Sequence, residues 1–216
     1  MAADVVTVAQ LEAWLRRFAE LIATHRSELT DLDSAIGDAD HGINMARGFG
    51  AVTAALEQKD TPTPGSVLTL AGSTLISKVG GASGPLYGMA LRSAGKALGD
   101  TSDADLRALA GALEAALAGV QKLGAARDGE KTMVDALAPA VSALAKALAD
   151  GAPADGALSA LAAAAQAGAQ STVSMQALKG RASYLGPRSV GHEDPGAASM
   201  ALILGALRDV AARQVT

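Results

Sequence analysis

Hydrophobic residues recur at steps of three and four along most of this sequence, which is the period of one face of an α-helix. Half of the residues are hydrophobic but only 2% are aromatic, so Leu, Val, Met and many Ala residues must build the core. Small side chains let helices approach one another closely. The pattern predicts an all-α protein without a convincing strand, and a length of 216 residues calls for a single domain over residues 1–216.

Eight amphipathic helices are predicted, and three of them have recognisable starts. Thr7 and Gln10 form a capping box at the start of the first. Ser102 is the predicted N-cap of a central helix, and Asp194 followed by Pro195 has the form of an N-cap with proline at the first helical position. The predicted helices lie near residues 8–22, 43–58, 66–79, 84–98, 103–120, 133–148, 154–175 and 195–210.

The polar segment DLDSAIGDADHG, residues 31–42, is interpreted as a loop with three aspartates, Asp33, Asp38 and Asp40. Carboxylates this close in sequence repel one another unless a cation lies among them. Oxygen ligands without cysteine favour magnesium, calcium or manganese. Because magnesium often bridges a few carboxylates to substrate phosphates, the segment also anticipates a nucleotide nearby.

Two other interpretations of this segment were weighed. Asp and Gly are turn formers, so Asp38 or Asp40 could simply cap the next helix. An EF-hand starting at Asp38 is excluded, because Ile43 would occupy its glycine position and Phe49 its bidentate glutamate.

Two further polar segments could contact phosphates. The segment GGASGP, residues 80–85, precedes a predicted helix and offers backbone N–H groups and the Ser83 hydroxyl, although an ordinary turn would look the same. Arg181 and Arg188 lie in the loop 179–196, where an arginine could stabilise charge on a transferring phosphoryl group or simply be solvated. A Walker motif is absent, since Gly95-Lys96 is followed by alanine.

Composition excludes several classes of function. A formal net charge of −4 gives no basic field for nucleic acid, and the absence of cysteine excludes disulfides and thiolate zinc sites. The N-terminus lacks the apolar core of a secretory signal, and the Ala-rich run at 157–169 is too short to span a bilayer. We expect a cytoplasmic protein that binds neither membrane nor nucleic acid.

Four segments in one order, DLDSAIGDADHGINMARGF, GGASGPLYG, GEKTMVDAL and KGRASYLGPRSVGHEDPGA, resemble the nucleotide-binding L subunits of bacterial dihydroxyacetone kinases. The resemblance covers about residues 5–213. It implies an antiparallel barrel of eight amphipathic helices with the nucleotide bound among the loops at one end.

The resemblance also implies the site residues. Asp33, Asp38 and Asp40 would bind two magnesium ions, and Arg181 would stabilise transition-state charge. The implied contacts to ADP or ATP are His41, Gly42, Ile43, Asn44, Ala82, Ser83, Gly124, Met133, Arg181, Asp194, Pro195 and Gly196. Two positions depart from the family: Ala39 stands where glycine is frequent and Ala82 where threonine is frequent.

The activity implied by the resemblance is a relay. A phosphohistidine on a phosphotransferase-system protein phosphorylates bound ADP, and the phosphoryl group then passes to dihydroxyacetone on a separate K subunit, for which this chain has no room. Alternatives are direct exchange of ATP, a related keto-sugar as acceptor, or a regulatory role in which the loaded form contacts a transcription regulator. A homodimer is also expected.

Overall fold

The computed structural model describes residues 5–213 and is almost entirely helical in that range. Its α-helices are α1 Val8–Thr24, α2 Arg26–Ile36, α3 His41–Gln58, α4 Pro64–Lys78, α5 Ser83–Leu98, α6 Leu106–Gly124, α7 Val134–Ala149, α8 Ala154–Ser171 and α9 Pro195–Ala212. Short 3-10 segments follow α8 at Thr172–Ser174 and precede α9 at Arg181–Ser189.

Eight of these helices form a closed barrel. Each of α3 to α8 packs against the next helix in the chain, α9 packs against both α8 and α1, and α1 packs against α3. From α3 to α8, successive helices run antiparallel because the connections between them are short. The barrel confirms the predicted all-α architecture.

The second helix, α2, was missed by the sequence analysis, which treated its last residues as the start of a loop. It packs outside the ring, against α3 and α9. Leu29, Leu32 and Ile36 are spaced by three and four residues, so a helical signal was present but was masked by the neighbouring aspartates. Asp33 therefore lies in the last turn of a helix and is not a loop residue.

Two smaller predictions were also wrong. Val5–Val6 and Ala104–Asp105 form a two-stranded antiparallel sheet, β1 and β2, where no strand was expected. Asp105 caps α6 by accepting a hydrogen bond from Ala108 N–H, in place of Ser102. The predicted caps of α1, by Thr7 with Gln10, and of α9, by Asp194 with Pro195, are confirmed.

Small residues allow a close contact between α4 and α5. A Cβ atom on Gly72 would lie 2.5 Å from the carbonyl oxygen of Gly88, and one on Gly95 would lie 2.6 Å from that of Gly65. Each helix places its glycines seven residues apart, on one face, so the two backbones can meet there.

Helix α9 is long and apolar enough to cross a membrane by length and composition alone. Half of it is buried inside the barrel, and the indole N–H of Trp14 donates to the Ile203 carbonyl at 2.7 Å. The contacts of α9 with α1, α7 and α8 are those of a core helix.

Candidate nucleotide and metal site

A cavity of about 300 Å³ opens at one end of the barrel, where α3, α5, α7 and α9 all begin. The first residues of these four helices lie in or beside its wall. Helix N-termini carry partial positive charge and unpaired N–H groups. Their convergence makes this end of the barrel suited to an anion, and a phosphate is the common case.

The three aspartates of the acidic segment converge at this cavity. One ligand oxygen from each of Asp33, Asp38 and Asp40 can be chosen so that all lie within 4.8 Å of one another. Asp33 is only 7% exposed, and its Oδ2 accepts hydrogen bonds from Asp40 N–H at 2.8 Å and His41 N–H at 3.0 Å. These two bonds hold the turn between α2 and α3 around the carboxylate.

The turn has a demanding backbone. A Cβ atom on Gly37 would lie 2.0 Å from Asp33 Oδ1, so any larger residue would displace the Asp33 carboxylate. Ala39 has a φ of 61°, in the left-handed region that favours glycine. Ala39, where the resemblance implies that glycine is frequent, therefore lies at a position whose backbone favours glycine.

Arg181 reaches this cluster from the opposite wall. Its Nη2 lies 2.9 Å from Asp38 Oδ2, and both side chains keep substantial solvent contact. An exposed ion pair of this kind contributes little to stability. Its value is positional, because it holds a guanidinium beside the carboxylates.

The start of α5 forms a second wall. Gly81 has a φ of 69°, and Ala82, the N-cap of α5, makes no side-chain capping hydrogen bond. The first N–H groups of α5 therefore lack a capping side chain next to the cavity. Ser83 adds a hydroxyl there.

A buried hydrogen-bond chain links this wall to α9. His41 Nδ1 lies 3.0 Å from Ser83 Oγ, and its Nε2 lies 2.8 Å from Ser199 Oγ. Burial lowers the pKa of His41, although the nearby Asp33 and Asp40 raise it, so the ring is neutral. Since Ser199 Oγ donates to the Pro195 carbonyl at 2.9 Å, the geometry favours donation from Nε2 to Ser199 and acceptance by Nδ1 from Ser83.

The remaining lining is mostly apolar and includes Leu86, Val120, Ala126 and Met133. A Cβ atom on Gly124 would lie 3.3 Å from Leu86 Cδ2, so glycine keeps this part of the cavity open. Flat apolar walls of this type suit an aromatic ring, with a few polar groups fixing its orientation.

Comparison with known proteins identifies the family. Residues 35–209 match the DAK2 domain. The chain belongs to the DAK2-domain family. Asp33 lies just before the matched range, and the other two aspartates lie within it.

Several DAK2-domain relatives match this chain over nearly their full length. The ADP-binding subunit of the PEP-dependent dihydroxyacetone kinase 1 of Listeria innocua is 45% identical, over 90% of this chain and 92% of its own. The ADP-binding subunit of the PEP-dependent dihydroxyacetone kinase of Escherichia coli is 42% identical, over 90% of this chain and 93% of its own.

A longer solved structure contains the same fold. The dihydroxyacetone kinase of C. freundii, in complex with AMP-PNP and Mg2+, matches with a TM-score of 0.70 and 28% identity. The match covers 94% of this chain, which spans 34% of that one.

Most of the predicted site residues of this DAK2 domain do line the cavity. They are Asp33, Asp38, Asp40, His41, Ala82, Ser83, Gly124, Met133, Arg181, Asp194, Pro195 and Gly196. Arg188 is exposed and lies outside the lining.

Three predicted contacts lie outside the lining, in the first turn of α3. Gly42 packs against α2, where a Cβ atom would lie 2.1 Å from the Arg26 carbonyl oxygen. Ile43 is 49% exposed, and Asn44 accepts a hydrogen bond from Arg47. Their role as nucleotide contacts stays a prediction.

The structure adds residues to the site that sequence reasoning missed. Lys131, Thr132, Lys179 and Tyr87 line the cavity. Lys131 is buried, although a lysine between Glu130 and Thr132 looks exposed in sequence. The motif GEKTMVDAL marked this region, but nothing in the sequence indicated that its lysine points inward.

Asp194 completes the wall and has an unusual environment. Its Oδ2 accepts from Ala197 N–H at 2.8 Å, as the N-cap of α9. The pKa of Asp194 is raised to about 7, mainly by burial and also by Asp135, while hydrogen bonds from the backbone and the charge of Lys131 oppose the shift. Asp194 is therefore both a helix cap and a cavity residue.

Proposed function

We propose that this chain is the ADP-binding subunit of a PEP-dependent dihydroxyacetone kinase. The observation that carries the proposal is the convergence of three carboxylate oxygens within 4.8 Å at the mouth of a cavity where four helices begin. Relatives with this printed function share 45% and 42% of their residues with the chain over almost their full lengths.

The side chains present fit a magnesium-bound nucleotide. Asp33, Asp38 and Asp40 supply oxygen ligands only, which is the donor set that magnesium prefers. Bound magnesium would neutralise charge on the nucleotide phosphates. The N-terminus of α5, with Gly81, Ala82 and Ser83, would hold phosphate oxygens, and Met133 with Leu86 would contact the base.

The residues of the chain then have distinct roles in phosphoryl transfer. The Asp33 carboxylate positions the turn that carries Asp38 and Asp40, through its bonds to two N–H groups. Arg181 is the proposed catalytic residue, because its guanidinium beside Asp38 can stabilise negative charge on a transferring phosphoryl group. His41 is neutral and holds Ser83 in place.

The finer parts of the proposal concern the cycle and the partners. We propose that two magnesium ions bind, that ADP stays on the protein, and that a phosphohistidine protein recharges it in the cytoplasm. The acceptor would sit on a K subunit. Residues 1–216 would act as a single domain, as a homodimer.

A second cycle has a specific observation in its favour. The C. freundii dihydroxyacetone kinase that shares this fold was crystallised with AMP-PNP, an analogue of ATP, and with Mg2+. A DAK2 domain that exchanges ATP directly would use the same cavity, without a phosphohistidine donor.

Native mass spectrometry of protein purified without added nucleotide tests the proposal. We expect a mass increase equal to ADP with magnesium, and loss of both after treatment with EDTA. Rapid exchange of the retained nucleotide with free ATP would favour the direct cycle. An empty protein that also shows no heat of binding with Mg-ADP or Mg-ATP would refute the nucleotide site.

A further inference from the structure

Lys131 is a buried lysine in a loop, between α6 and α7, with a strained backbone. Its side chain is 1% exposed. Its φ is 62°, in the left-handed region that favours glycine. A residue other than glycine is kept in such a conformation only when the surrounding structure compensates for the strain. The side chain of Lys131 therefore contributes something that glycine could not.

The ammonium group of Lys131 joins two separate segments. Its Nζ donates to the Thr172 carbonyl oxygen at 2.6 Å and also to the His192 carbonyl oxygen. These two carbonyls bracket residues 173–191, the segment that carries Lys179 and Arg181 into the cavity wall. We call this segment the Arg181 loop.

Neighbouring backbone bonds close the same loop. Gly191 N–H donates to the Val173 carbonyl at 2.7 Å, and Leu178 N–H donates to the carbonyl of Glu130, the residue next to Lys131. The base of the loop is thus held by residues 130 and 131 from across the cavity.

The far side of the loop has weaker anchors. Ile36 forms a small apolar cluster with Ala177 and Ala182, and Arg181 pairs with Asp38 in solvent. Neither contact holds the base of the loop. A cation with two bonds to main-chain carbonyls inside the protein is a stronger constraint than an exposed ion pair.

The charge of the ammonium is matched by its surroundings. Burial lowers the pKa of Lys131, and the carboxylates of Asp194, Asp135 and Glu193 act in the opposite direction. Three acidic groups therefore face the lysine from the start of α9 and from α7. They support a cation at this place, although the hydrogen bonds of the ammonium go to carbonyl oxygens.

We propose that Lys131 is a positioning residue that pins the base of the Arg181 loop over the cavity and thereby controls how fast the nucleotide enters and leaves. The proposal rests on the nucleotide site proposed above. It assigns to Lys131 no contact with the nucleotide. Its effect passes through the loop that presents Arg181.

Hydrogen–deuterium exchange of the nucleotide-free protein tests, without any ligand, whether Lys131 restrains the Arg181 loop. In Lys131→Met, which keeps the apolar stem and removes the ammonium, we expect residues 173–191 to exchange at least about tenfold faster than in the wild type. Other helices should keep their protection. The control is Lys146→Met, whose exposed lysine pairs with Asp150 on the outside of α7 and should leave exchange unchanged.

Stopped-flow kinetics with a fluorescent ribose-labelled ADP and magnesium test whether Lys131 controls how fast the nucleotide enters and leaves. For Lys131→Met we expect dissociation at least about tenfold faster, with association as fast as in the wild type or faster, because an open loop speeds passage both ways. General damage to the site would slow association. Slower association in Lys131→Met would therefore overturn the proposal.

The outcomes separate this proposal from that of the nucleotide site. If the wild type binds no nucleotide, the proposed nucleotide site is refuted. Hydrogen–deuterium exchange still tests whether Lys131 restrains the Arg181 loop. Unchanged hydrogen–deuterium exchange of residues 173–191 in a folded Lys131→Met variant would overturn the proposed restraint of the Arg181 loop by Lys131. If that variant does not fold, 15N-lysine NMR of the wild type provides the test. A slowly exchanging ammonium signal is expected, and the absence of such a signal would refute the role of Lys131.

Discussion

The two charged clusters at the end of the barrel differ in how their charges are balanced. In the acidic cluster, Asp38 is exposed and pairs with Arg181, Asp40 is half-buried, and Asp33 is held by two backbone N–H groups. In the cluster around Lys131, the groups are buried and balanced within the protein: the ammonium binds two carbonyls, and Asp135 accepts from Gly129 and Thr132.

From this difference we expect the acidic cluster to be stabilised by a bound ligand and the cluster around Lys131 to need none. Carboxylates in the acidic cluster repel one another, so a cation and a phosphate would stabilise them. Lys131 and Asp135 already have hydrogen-bond partners within the protein, so removing Asp135 should leave buried donors unpaired and destabilise the fold. Substitutions in the first cluster should change binding. Substitutions in the second should change stability or, at Lys131, how firmly the Arg181 loop is held.

The largest effect is expected in the acidic cluster. Asp38→Asn or Asp40→Asn should weaken magnesium-dependent ADP binding by at least about 100-fold, roughly 2.7 kcal/mol, because each removes a charged ligand. Calorimetry with Mg-ADP measures the loss, and circular dichroism should stay that of the wild type. Asp31→Asn, an exposed aspartate on α2, is the matched control. Unaltered binding in both cluster variants would refute the metal assignment.

A smaller effect, on stability, is expected in the second cluster. Asp135 is 1% exposed and accepts from Gly129 N–H at 2.5 Å and Thr132 N–H at 2.6 Å. Asp135→Ala should leave these donors unpaired and lower the free energy of unfolding by about 2 kcal/mol in urea titration. Asp150→Ala, in an exposed ion pair, should cost under about 0.5 kcal/mol. Equal costs would contradict the comparison.

The pH dependence of stability should report Asp194. Burial raises its pKa in the folded protein to about 7, from an ordinary value of 3.8. A raised pKa means that the folded protein holds this proton more tightly, so the contribution is fully present below pH 4 and is lost as pH rises towards 7.

The contribution of Asp194 to the free energy of unfolding is about 1.5 kcal/mol, less than full burial would give, because the side chain keeps some solvent contact. Asp194→Asn keeps an oxygen for Ala197 N–H but cannot ionise. Urea titrations of the variant at several pH values should therefore show a shallower fall in stability between pH 4 and 7. An identical slope in variant and wild type would show that Asp194 is not the source.

The smallest effect is expected at Ala39. Its left-handed backbone costs an alanine about 1 to 2 kcal/mol, while glycine loses part of that gain through its greater freedom when unfolded. Ala39→Gly should therefore raise the free energy of unfolding by about 0.5 to 1 kcal/mol. Ala118→Gly, at an exposed position inside α6, should lower it by a similar amount. Two changes of the same sign would contradict this account.

Much of the fold could be predicted from local patterns. The periodic runs of Leu and Val located the eight barrel helices, and side chains at Thr7 and Asp194 marked two of their starts. Prediction failed where local signals conflicted. Helix α2 was hidden by its aspartates, and the cap of α6 moved from Ser102 to Asp105 because residues 104 and 105 pair with β1.

The site, like the fold, could be predicted where its residues form local patterns in the sequence. Aspartates, glycines and arginines in loops are visible in sequence, and most of the residues named from the family resemblance do line the cavity. Tyr87, Ser199 and Lys131 were not found, because each lies on what reads as an ordinary helix or loop. Their roles depend on partners more than 40 residues away along the chain.

Residue types and their spacing by themselves determined that this chain forms amphipathic helices and carries three aspartates close together in one segment. Those properties are local, since they follow from side-chain period and from charges close in sequence. Only the tertiary structure decided that four helix starts meet at one cavity, that Arg181 reaches Asp38 and that Lys131 lies inside. Such juxtapositions depend on how the barrel closes, and closure is set by packing between residues distant in the chain.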